Sequence, residues 1–363
     1  MKLAILYITI LSIIKSFPEQ HSSQSLNPEL QSKSLASIDT NHQLSNDIMV
    51  IYQDNKYNYW FGSWKDGLYK YDGQLITHYT IADGLLSNRV EEIKEDKYGN
   101  LYVNTSKGLC KFDKNRFSKI TESKTLIGEW KLLSDDLWFK CLEQPGHVFR
   151  FDGTKLFRLQ LPKIKIGEDL IQKHPSYPNP YHVYCIYKDK KTYIWFGTAV
   201  LGACRYNGKT FDWITETDVT EIHDGPSNGV RSIAEDKNGD FWFNTEYRYK
   251  IYEDSSQNIK NANQENFYNR IKSIGSLDGN ANGDKNEYLS IVTDNDKRIW
   301  IATYIHGVWM FDGDIIKHSP VQVNSKNISL YCLYKDHNGD LWLGTHENGV
   351  FKFNGHSFEK FTL

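Results

Sequence analysis

Short segments in which apolar and polar residues alternate recur along most of the chain, and each predicts a β-strand. One such segment, Val90 to Ile93, is followed by a polar turn and a second strand, Leu101 to Thr105. A third strand begins at a glycine after a short loop, as in Gly67 to Tyr71, and ends in an Asp-Gly or Asn-Gly dipeptide. Because such a dipeptide between two strands is a strong hairpin signal, a fourth strand is expected to close each unit.

An aromatic anchor marks the second strand of each unit and recurs seven times. The anchors are Trp60, Tyr102, Trp138, Trp195, Trp242, Trp300 and Trp342. Their separations run from 36 residues, between Tyr102 and Trp138, to 58 residues, between Trp242 and Trp300. Repeats of about 40 residues built from short strands are typical of a β-propeller. The sequence therefore predicts an all-β fold, a seven-bladed β-propeller of four-stranded antiparallel blades.

Two blades depart from the regular pattern. The first strand of the third blade is expected around Trp130 to Leu133, and the fourth strand of the fifth blade near Asn266 to Ile271. The first blade begins with its own first strand at Ile48 to Tyr52, and the last ends with its own fourth strand at Phe358 to Phe361. No strand exchange between the termini is therefore required to close the ring.

The N-terminal region has a different composition. A mostly apolar run, Leu3 to Ile14, follows Lys2 and is about as long as the apolar part of a secretory signal peptide. We expect a signal peptide over residues 1–20, a flexible lead-in over 21–43 and the propeller over 44–363; a frayed N-terminal strand or helix is the alternative for the apolar run. A signal peptide implies a periplasmic or secreted location. No later segment is long enough to span a bilayer, so we expect no transmembrane segment in the mature chain.

The charge balance narrows the class of partner. The formal net charge is −2, from 43 basic and 45 acidic residues, which argues against electrostatic capture of nucleic acid. A small molecule, a glycan or a protein is the expected partner. An Asp also recurs in the turn before the second strand, as at Asp96, Asp236 and Asp336. Because Asp accepts backbone N–H groups in turns, this repetition indicates turn chemistry rather than a metal site.

The loops between the second and third strands have similar frames but different side chains. Divergent residues on a repeated frame are typical of a binding face, although neutral variation on solvated loops is the alternative. The candidate ligand-binding residues are Trp64, Lys65, Asp66, Tyr247, Arg248, Tyr304, His306, His346, Glu347 and Asn348. Their aromatic members suit stacking against a sugar ring or an aromatic ligand.

Three functions are compatible with these loops. One is a non-catalytic ligand- or partner-binding propeller, and another is a pure protein–protein scaffold. The remaining one is a metal-assisted lyase or hydrolase. It is considered because a His/Glu pair such as His346 and Glu347 can bind a metal or move a proton. The sequence contains no nucleophile elbow, phosphate-binding glycine loop or zinc-ligand spacing, so no catalytic residue is assigned.

One segment outside the repeats resembles the front of a calcium-binding loop. Its oxygen-bearing residues are Asp278, Asn280, Asn282 and Asp284. Position twelve of such a loop falls on Leu289 instead of a glutamate. An Asn- and Gly-rich surface loop is the simpler interpretation, and no cofactor is required.

The units resemble the two-component regulator propeller repeat. The residues that carry the likeness are Asn88, Val90, Ile93, Glu95, Asp96, Gly99 and Leu101, and again Asn228, Val230, Ile233, Glu235, Asp236, Gly239, Trp242 and Thr245. The likeness covers about Leu44 to Leu363. It implies an extracytoplasmic sensor module, which in fuller members precedes a membrane helix and a histidine kinase. Since this sequence shows no kinase part, we expect a stand-alone binding propeller, whose protein partner would be a separately encoded membrane sensor.

Overall fold

The computed structural model of the chain describes residues 43–124, 128–176, 178–215, 229–243, 247–252, 267–272, 288–313 and 315–362. The predicted signal peptide, the lead-in up to residue 42 and the candidate calcium residues Asp278, Asn280, Asn282 and Asp284 lie outside these ranges. The fold and the site are therefore built from the propeller repeats alone.

Antiparallel sheets follow one another along the chain as the blades of the propeller. Blade 1 contains β1 (Ile48–Gln53), β2 (Tyr59–Ser63), β3 (Leu68–Tyr71) and β4 (Ile76–Tyr79), followed by a 3-10 turn (Ile81–Asp83). Blade 2 contains β5 (Val90–Glu95), β6 (Leu101–Thr105), β7 (Gly108–Asp113) and β8 (Arg116–Lys119). Blade 3 contains β9 (Leu137–Lys140), β10 (His147–Phe151) and β11 (Leu156–Gln160), and the helix α1 (Lys165–Lys173) comes next.

The second half of the ring repeats the same unit. Blade 4 contains β12 (Val183–Lys188), β13 (Ile194–Thr198), β14 (Ala203–Tyr206) and β15 (Phe211–Ile214). Blade 5 contains β16 (Ala234–Glu235), β17 (Phe241–Trp242), β18 (Tyr247–Ile251) and β19 (Tyr268–Lys272). Blade 6 contains β20 (Tyr288–Thr293), β21 (Ile299–Thr303), β22 (Val308–Phe311) and β23 (Ile316–Ser319). A hairpin of β24 (Gln322–Val323) and β25 (Lys326–Asn327) precedes blade 7, which contains β26 (Leu330–Lys335), β27 (Leu341–Thr345), β28 (Val350–Phe353) and β29 (Phe358–Lys360).

These sheets confirm the predicted seven-bladed propeller. The fourth strand of blade 5, β19, lies where the sequence predicted it. No helix in the described ranges is long and apolar enough to cross a membrane.

The aromatic anchors form the core between neighbouring blades. All seven are buried, with at most 4% of their surface exposed. Trp60 of blade 1, for example, clusters with Val90, Ile93 and Leu101 of blade 2. Burying one tryptophan removes about 150–250 Å² from water, which at ~25 cal/mol/Å² gives an upper bound of about 4–6 kcal/mol. The hydrophobic core is thus divided into a ring of inter-blade clusters.

The turn aspartates fix these anchors in place. In five blades the anchor's indole N–H donates to the carboxylate six residues earlier, at 2.7–3.1 Å. In blade 2 the Tyr102 hydroxyl donates to Asp96 at 3.0 Å. The other carboxylate oxygen accepts backbone N–H groups of the turn, as Asp336 Oδ1 does from Asn338 and Asp340, each at 2.9 Å. The predicted turn chemistry is confirmed.

Blade 3 departs from the prediction. The expected first strand around Trp130 to Leu133 is wrong, because the described part of blade 3 is a three-stranded sheet. The chain instead leaves blade 2 along the outer strand of blade 3, where Glu122 forms a parallel bridge with Leu156. Trp130 then packs edge-on against Phe211 in the outer strand of blade 4, with ring centroids 4.7 Å apart. The ring of Trp130 also stacks on Trp138 of blade 3, so the described part of this segment packs between blades 3 and 4 and does not form the innermost strand.

With no first strand beside it among the described residues, the inner edge of β9 in blade 3 has free backbone groups, and side chains of blade 2 form hydrogen bonds with them. Glu92 Oε2 accepts the Lys140 backbone N–H at 2.7 Å, and Asn104 Nδ2 donates to the Lys140 carbonyl at 2.9 Å. Lys94 Nζ donates to the Trp138 carbonyl. An uncovered strand edge is a template for unwanted pairing, and these contacts close it.

The ring closes by packing between complete blades, as predicted. β1 pairs with β2 and β29 pairs with β28, so each terminal blade keeps its own strands. Across the join, the Tyr59 hydroxyl donates to Asp336 Oδ2 at 2.6 Å. The Gly349 N–H donates to the Asn46 carbonyl at 2.7 Å. This join places the loops of blades 1 and 7 side by side.

Candidate functional site

The loops between the second and third strands share a frame set by a hydroxyl and a glycine. In blade 7 the Thr345 hydroxyl donates to the Gly349 carbonyl at 2.7 Å and accepts the Asn348 N–H at 3.0 Å. Gly349 has φ of 78°, a left-handed conformation that glycine adopts without steric cost. Because the backbone and the Thr hydroxyl hold this shape, the side chains between them can differ from blade to blade.

Two of these loops meet in a cleft of about 510 Å³ at the join of blades 1 and 7. Blade 1 contributes Lys65 and Asp66, and blade 7 contributes His346 and Glu347. Residues 43–47, which lead into β1, complete the wall. The structure therefore brings together four of the candidate ligand-binding residues, from opposite ends of the propeller sequence.

Asp47 is a buried charged residue in the wall of this cleft, with 6% of its surface exposed. Burial raises the pKa of its carboxyl; His346 and Lys65 oppose the rise, whereas Asp66 and Glu347 add to it. Within the described ranges, the Oδ1 atom of Asp47 has no hydrogen-bond partner. The cleft thus contains a carboxylate that the protein itself leaves incompletely satisfied.

Two further polar contacts shape the cleft. The Ser45 hydroxyl donates to Asp66 Oδ2 at 2.6 Å and so ties the segment before β1 to the loop of blade 1. His346 Nδ1 lies 3.4 Å from Glu347 Oε1, and the Glu347 side chain is 79% exposed. Charged groups of both signs are therefore within reach of a molecule that enters from solvent.

An aromatic cluster borders the cleft on its inner side. The Arg89 guanidinium lies 3.6 Å from the ring centroid of Trp64, and Tyr331 stacks on the same indole at 6.1 Å with an interplanar angle of 15°. Tyr331 also meets His346 edge-on at 5.2 Å. Trp64 is thus engaged within the protein, and it links the inner strand of blade 2 to that of blade 7.

Residues at the start of the innermost strands are the part of this face that sequence reasoning missed. Arg89 Nε donates to Glu91 Oε1 at 2.5 Å in blade 2. In blade 4, Tyr184 lies beside His182, and the Arg231 guanidinium lies 4.5 Å from the Tyr184 ring centroid. Burial lowers the pKa of His182. A sequence signal for these residues did exist. Each first strand starts with a buried apolar residue, and the positions on either side of it differ from blade to blade.

Tyr247 and Arg248 do not lie in a loop, so that prediction of their placement is wrong. Both belong to β18, the third strand of blade 5, which begins at Tyr247. Tyr247 is 7% exposed and belongs to a core cluster. Arg248 pairs across the sheet with Trp242, and its Nε lies 3.8 Å from Asp240 Oδ2. The structure separates these two residues from the cleft.

Tyr304 and His306 lie in the loop of blade 6, next to blade 7. The Tyr304 carbonyl accepts the Leu330 N–H at 2.8 Å, and the His306 carbonyl accepts a hydrogen bond from His318 Nε2 at 2.7 Å. Neither residue lines the cleft at the join. In the part of the chain that the structure describes, no group of three or more His, Cys, Asp and Glu side chains is arranged to hold a metal ion.

Comparison with known sequences supports the family resemblance. The sequence model for the two component regulator propeller matches residues 176–199, 224–247 and 323–347. No curated protein matches the chain.

Solved structures of several proteins have a similar fold. The extracellular domain of a protein assigned as a hybrid two-component system from B. thetaiotaomicron is 20% identical, with a TM-score of 0.57 over 84% of this chain and 38% of that one. A second such domain from the same organism is 19% identical, with a TM-score of 0.55 over 86% of this chain and 40% of that one. Virginiamycin B lyase from Staphylococcus aureus is 12% identical, with a TM-score of 0.59 over 85% of this chain and 94% of that one.

The chain spans about two fifths of the length of the two sensor domains, and identities at this level establish the fold alone. Three segments of the sequence, in contrast, match the two component regulator propeller model. The chain is a seven-bladed β-propeller that carries repeats of the two-component regulator propeller family.

Proposed function

We propose that the chain is a non-catalytic ligand-binding propeller of the sensor type, and that it binds a small molecule or a glycan in the cleft between blades 1 and 7. The observation that carries this proposal is the convergence of Lys65, Asp66, His346 and Glu347 on one cleft. Its volume of about 510 Å³ lies within the range of about 300–1,000 Å³ that is usual for small-molecule sites.

The scaffold does not need the side chains of Lys65 and Glu347. Lys65 and Glu347 are exposed, and the loop of blade 7 is held by Thr345 and Gly349. In blade 2 the corresponding loop contains Ser106 and Lys107, so it forms without an Asp, His or Glu. Charged side chains that the fold does not require lie together at one cleft. This arrangement favours a binding role for them.

Two observations support a location outside the cytoplasm, periplasmic or secreted. The structurally similar sensor domains are extracellular. The apolar run from Leu3 to Ile14 has the length of a signal-peptide core. A separately encoded membrane sensor is then the natural protein partner of the liganded propeller. Cell fractionation with and without residues 1–20 tests this, since the truncated chain should remain in the cytoplasm.

A thermal-shift screen of sugars, glycan fragments and small metabolites tests the ligand. A compound that binds only the folded state raises Tm, and at about 100 times Kd the stabilisation is about 2.7 kcal/mol. The double substitution Lys65→Ala with His346→Ala should abolish the shift. Lys107→Ala and His356→Ala are matched controls, because both residues are exposed and lie outside the cleft.

Other outcomes favour the two alternatives. Chemical conversion of the bound compound, lost in His306→Ala and His346→Ala, would support a metal-assisted lyase or hydrolase. Failure of every compound, together with capture of a membrane protein by the wild-type chain, would support the pure scaffold. A Tm shift that survives the double substitution would place the ligand elsewhere and overturn the proposed cleft.

A further inference from the structure

We infer that the cleft between blades 1 and 7 recognises a primary ammonium group of its ligand through the carboxylate of Asp47. This inference rests on the proposed binding function and adds the chemical class of the ligand. The observation behind it is the incompletely satisfied Asp47 carboxylate in the cleft wall.

The position of Asp47 is held by its backbone, not by its side chain. The Asp47 N–H donates to the Ser45 hydroxyl at 3.1 Å, and the preceding carbonyl, of Asn46, accepts the Gly349 N–H of blade 7 at 2.7 Å. The side chain is buried at the point where the two terminal blades meet. Removing its charge should therefore leave the path of the chain unchanged.

An enclosed carboxylate with an unpaired oxygen is unfavourable for folding, because it has lost water without gaining a full set of partners. A structural carboxylate in this protein has such partners: Asp336 accepts hydrogen bonds from backbone, indole and phenol groups. Asp47 lacks this pattern within the described residues. Because the residue lines the cleft, a positively charged group of a ligand there would offset the charge that the protein leaves uncompensated.

The charges around the cleft favour a cation. Three carboxylates line it, those of Asp47, Asp66 and Glu347, against the ammonium of Lys65 and the imidazole of His346. In the described part of the chain these carboxylates do not form a cluster arranged to hold a metal ion. A primary ammonium has three donors and makes charge-assisted hydrogen bonds to carboxylates, so it fits this set of acceptors.

Calorimetric titration with matched amines tests the inference. Glucosamine and N-acetylglucosamine share a sugar ring but only glucosamine carries an ammonium, whereas putrescine carries ammonium groups without a sugar. With the amine at a concentration of about 10 mM, a Kd of about 1 mM remains measurable. We expect glucosamine or putrescine to bind, Asp47→Asn to weaken that binding by about tenfold or more, and N-acetylglucosamine not to bind. Binding of glucosamine alone identifies an amino sugar, and equal binding of both amines identifies any amine.

Asp113→Asn is the matched control, because Asp113 is exposed and lies outside the cleft. Without ligand, Asp47→Asn should keep or raise Tm, whereas a carboxylate retained for folding would lower it. Failure of both amines, unchanged binding in Asp47→Asn, or calcium binding in place of amines would overturn the inference. A neutral sugar that binds the wild type and Asp47→Asn equally, but not Lys65→Ala with His346→Ala, would overturn it while leaving the proposed function standing.

Discussion

The turn aspartate joins the local and the long-range structure of each regular blade. Asp336 shows this most completely, since Oδ1 accepts two turn N–H groups and Oδ2 accepts both the Trp342 indole and the Tyr59 hydroxyl of the next blade. The sequence predicted the turn role, because the Asp recurs before each regular second strand. It did not reveal the indole contact, which depends on how the strand after the turn twists back over it.

Blade 3 has an anchor without this contact, which provides a matched pair of substitutions. Trp138 and Trp195 are both buried, but Trp138 Nε1 has no hydrogen-bond partner among the described residues, whereas Trp195 Nε1 donates to Asp189 at 2.9 Å. Trp195→Phe should cost more than Trp138→Phe by about 1.5–3 kcal/mol, because it leaves a buried carboxylate oxygen unpaired. Urea titration of both variants measures the difference. Equal losses would contradict the role given to the aspartate.

The contribution of this contact to stability should depend on pH. Burial raises the pKa of Asp336, but hydrogen bonds from Tyr59, Trp342 and backbone N–H groups outweigh it and hold the pKa below 3.8. The stability that this group contributes is therefore present above pH 3.8 and is lost as the pH falls through the folded-state pKa. Asp336→Asn should be less stable than the wild type at pH 7 but should lose less stability on acidification below about pH 4.

Asp189 is the control for this pH profile. Burial raises its pKa above 3.8 in spite of the Trp195 contact. Protonation then favours the folded state, so the wild type should gain stability relative to Asp189→Asn as the pH falls. Stability measured by urea titration at several pH values distinguishes the two cases; parallel profiles for both variants would contradict the assignment.

The strands show where pattern reasoning works and where it stops. Alternation and Asp-Gly turns located nearly all blades, because every regular unit repeats its local chemistry. Trp130 misled the prediction, because an aromatic residue near an anchor resembles a strand residue, although here its ring packs between blades 3 and 4, against Trp138 and Phe211. The site was partly predictable for the same reason, because the repeated loop frame pointed to Lys65 and His346. That β18 already begins at Tyr247 could not be recognised from the spacing of the repeats.

Asn104 gives a test of the three-stranded arrangement that the described part of blade 3 shows. It occupies the position of Gly344 in blade 7, where an added Cβ would lie 2.5 Å from the Ile48 carbonyl oxygen and 2.7 Å from Cys332 Sγ. Gly344→Asn should therefore destabilise the fold by about 3 kcal/mol or more through overpacking. Asn104→Gly should cost about 1–3 kcal/mol through lost hydrogen bonds to Glu92 and Lys140. Urea titration measures both; a tolerated Gly344→Asn would contradict the packing described here.

In the intact ring, the join of the first and last blades combines structure and function. Tyr59 and Trp342 pack there with ring centroids 4.6 Å apart, while the loops above them form the cleft. The sequence predicted that both terminal blades are complete. A closed ring already makes blades 1 and 7 neighbours, but the sequence did not reveal that Lys65 and Glu347 would line one cleft there, because that depends on the conformations of the two loops.

Hydrogen–deuterium exchange of the full chain, with and without a compound found in the thermal-shift screen, tests the location of the site most directly. We predict that protection is concentrated in three segments: residues 43–47, 64–66 and 346–348. The Lys65→Ala and His346→Ala double variant should show no protection at the same compound concentration. Protection confined to other blades or to α1, with these three segments unchanged, would contradict the claim that the join of blades 1 and 7 is the binding site.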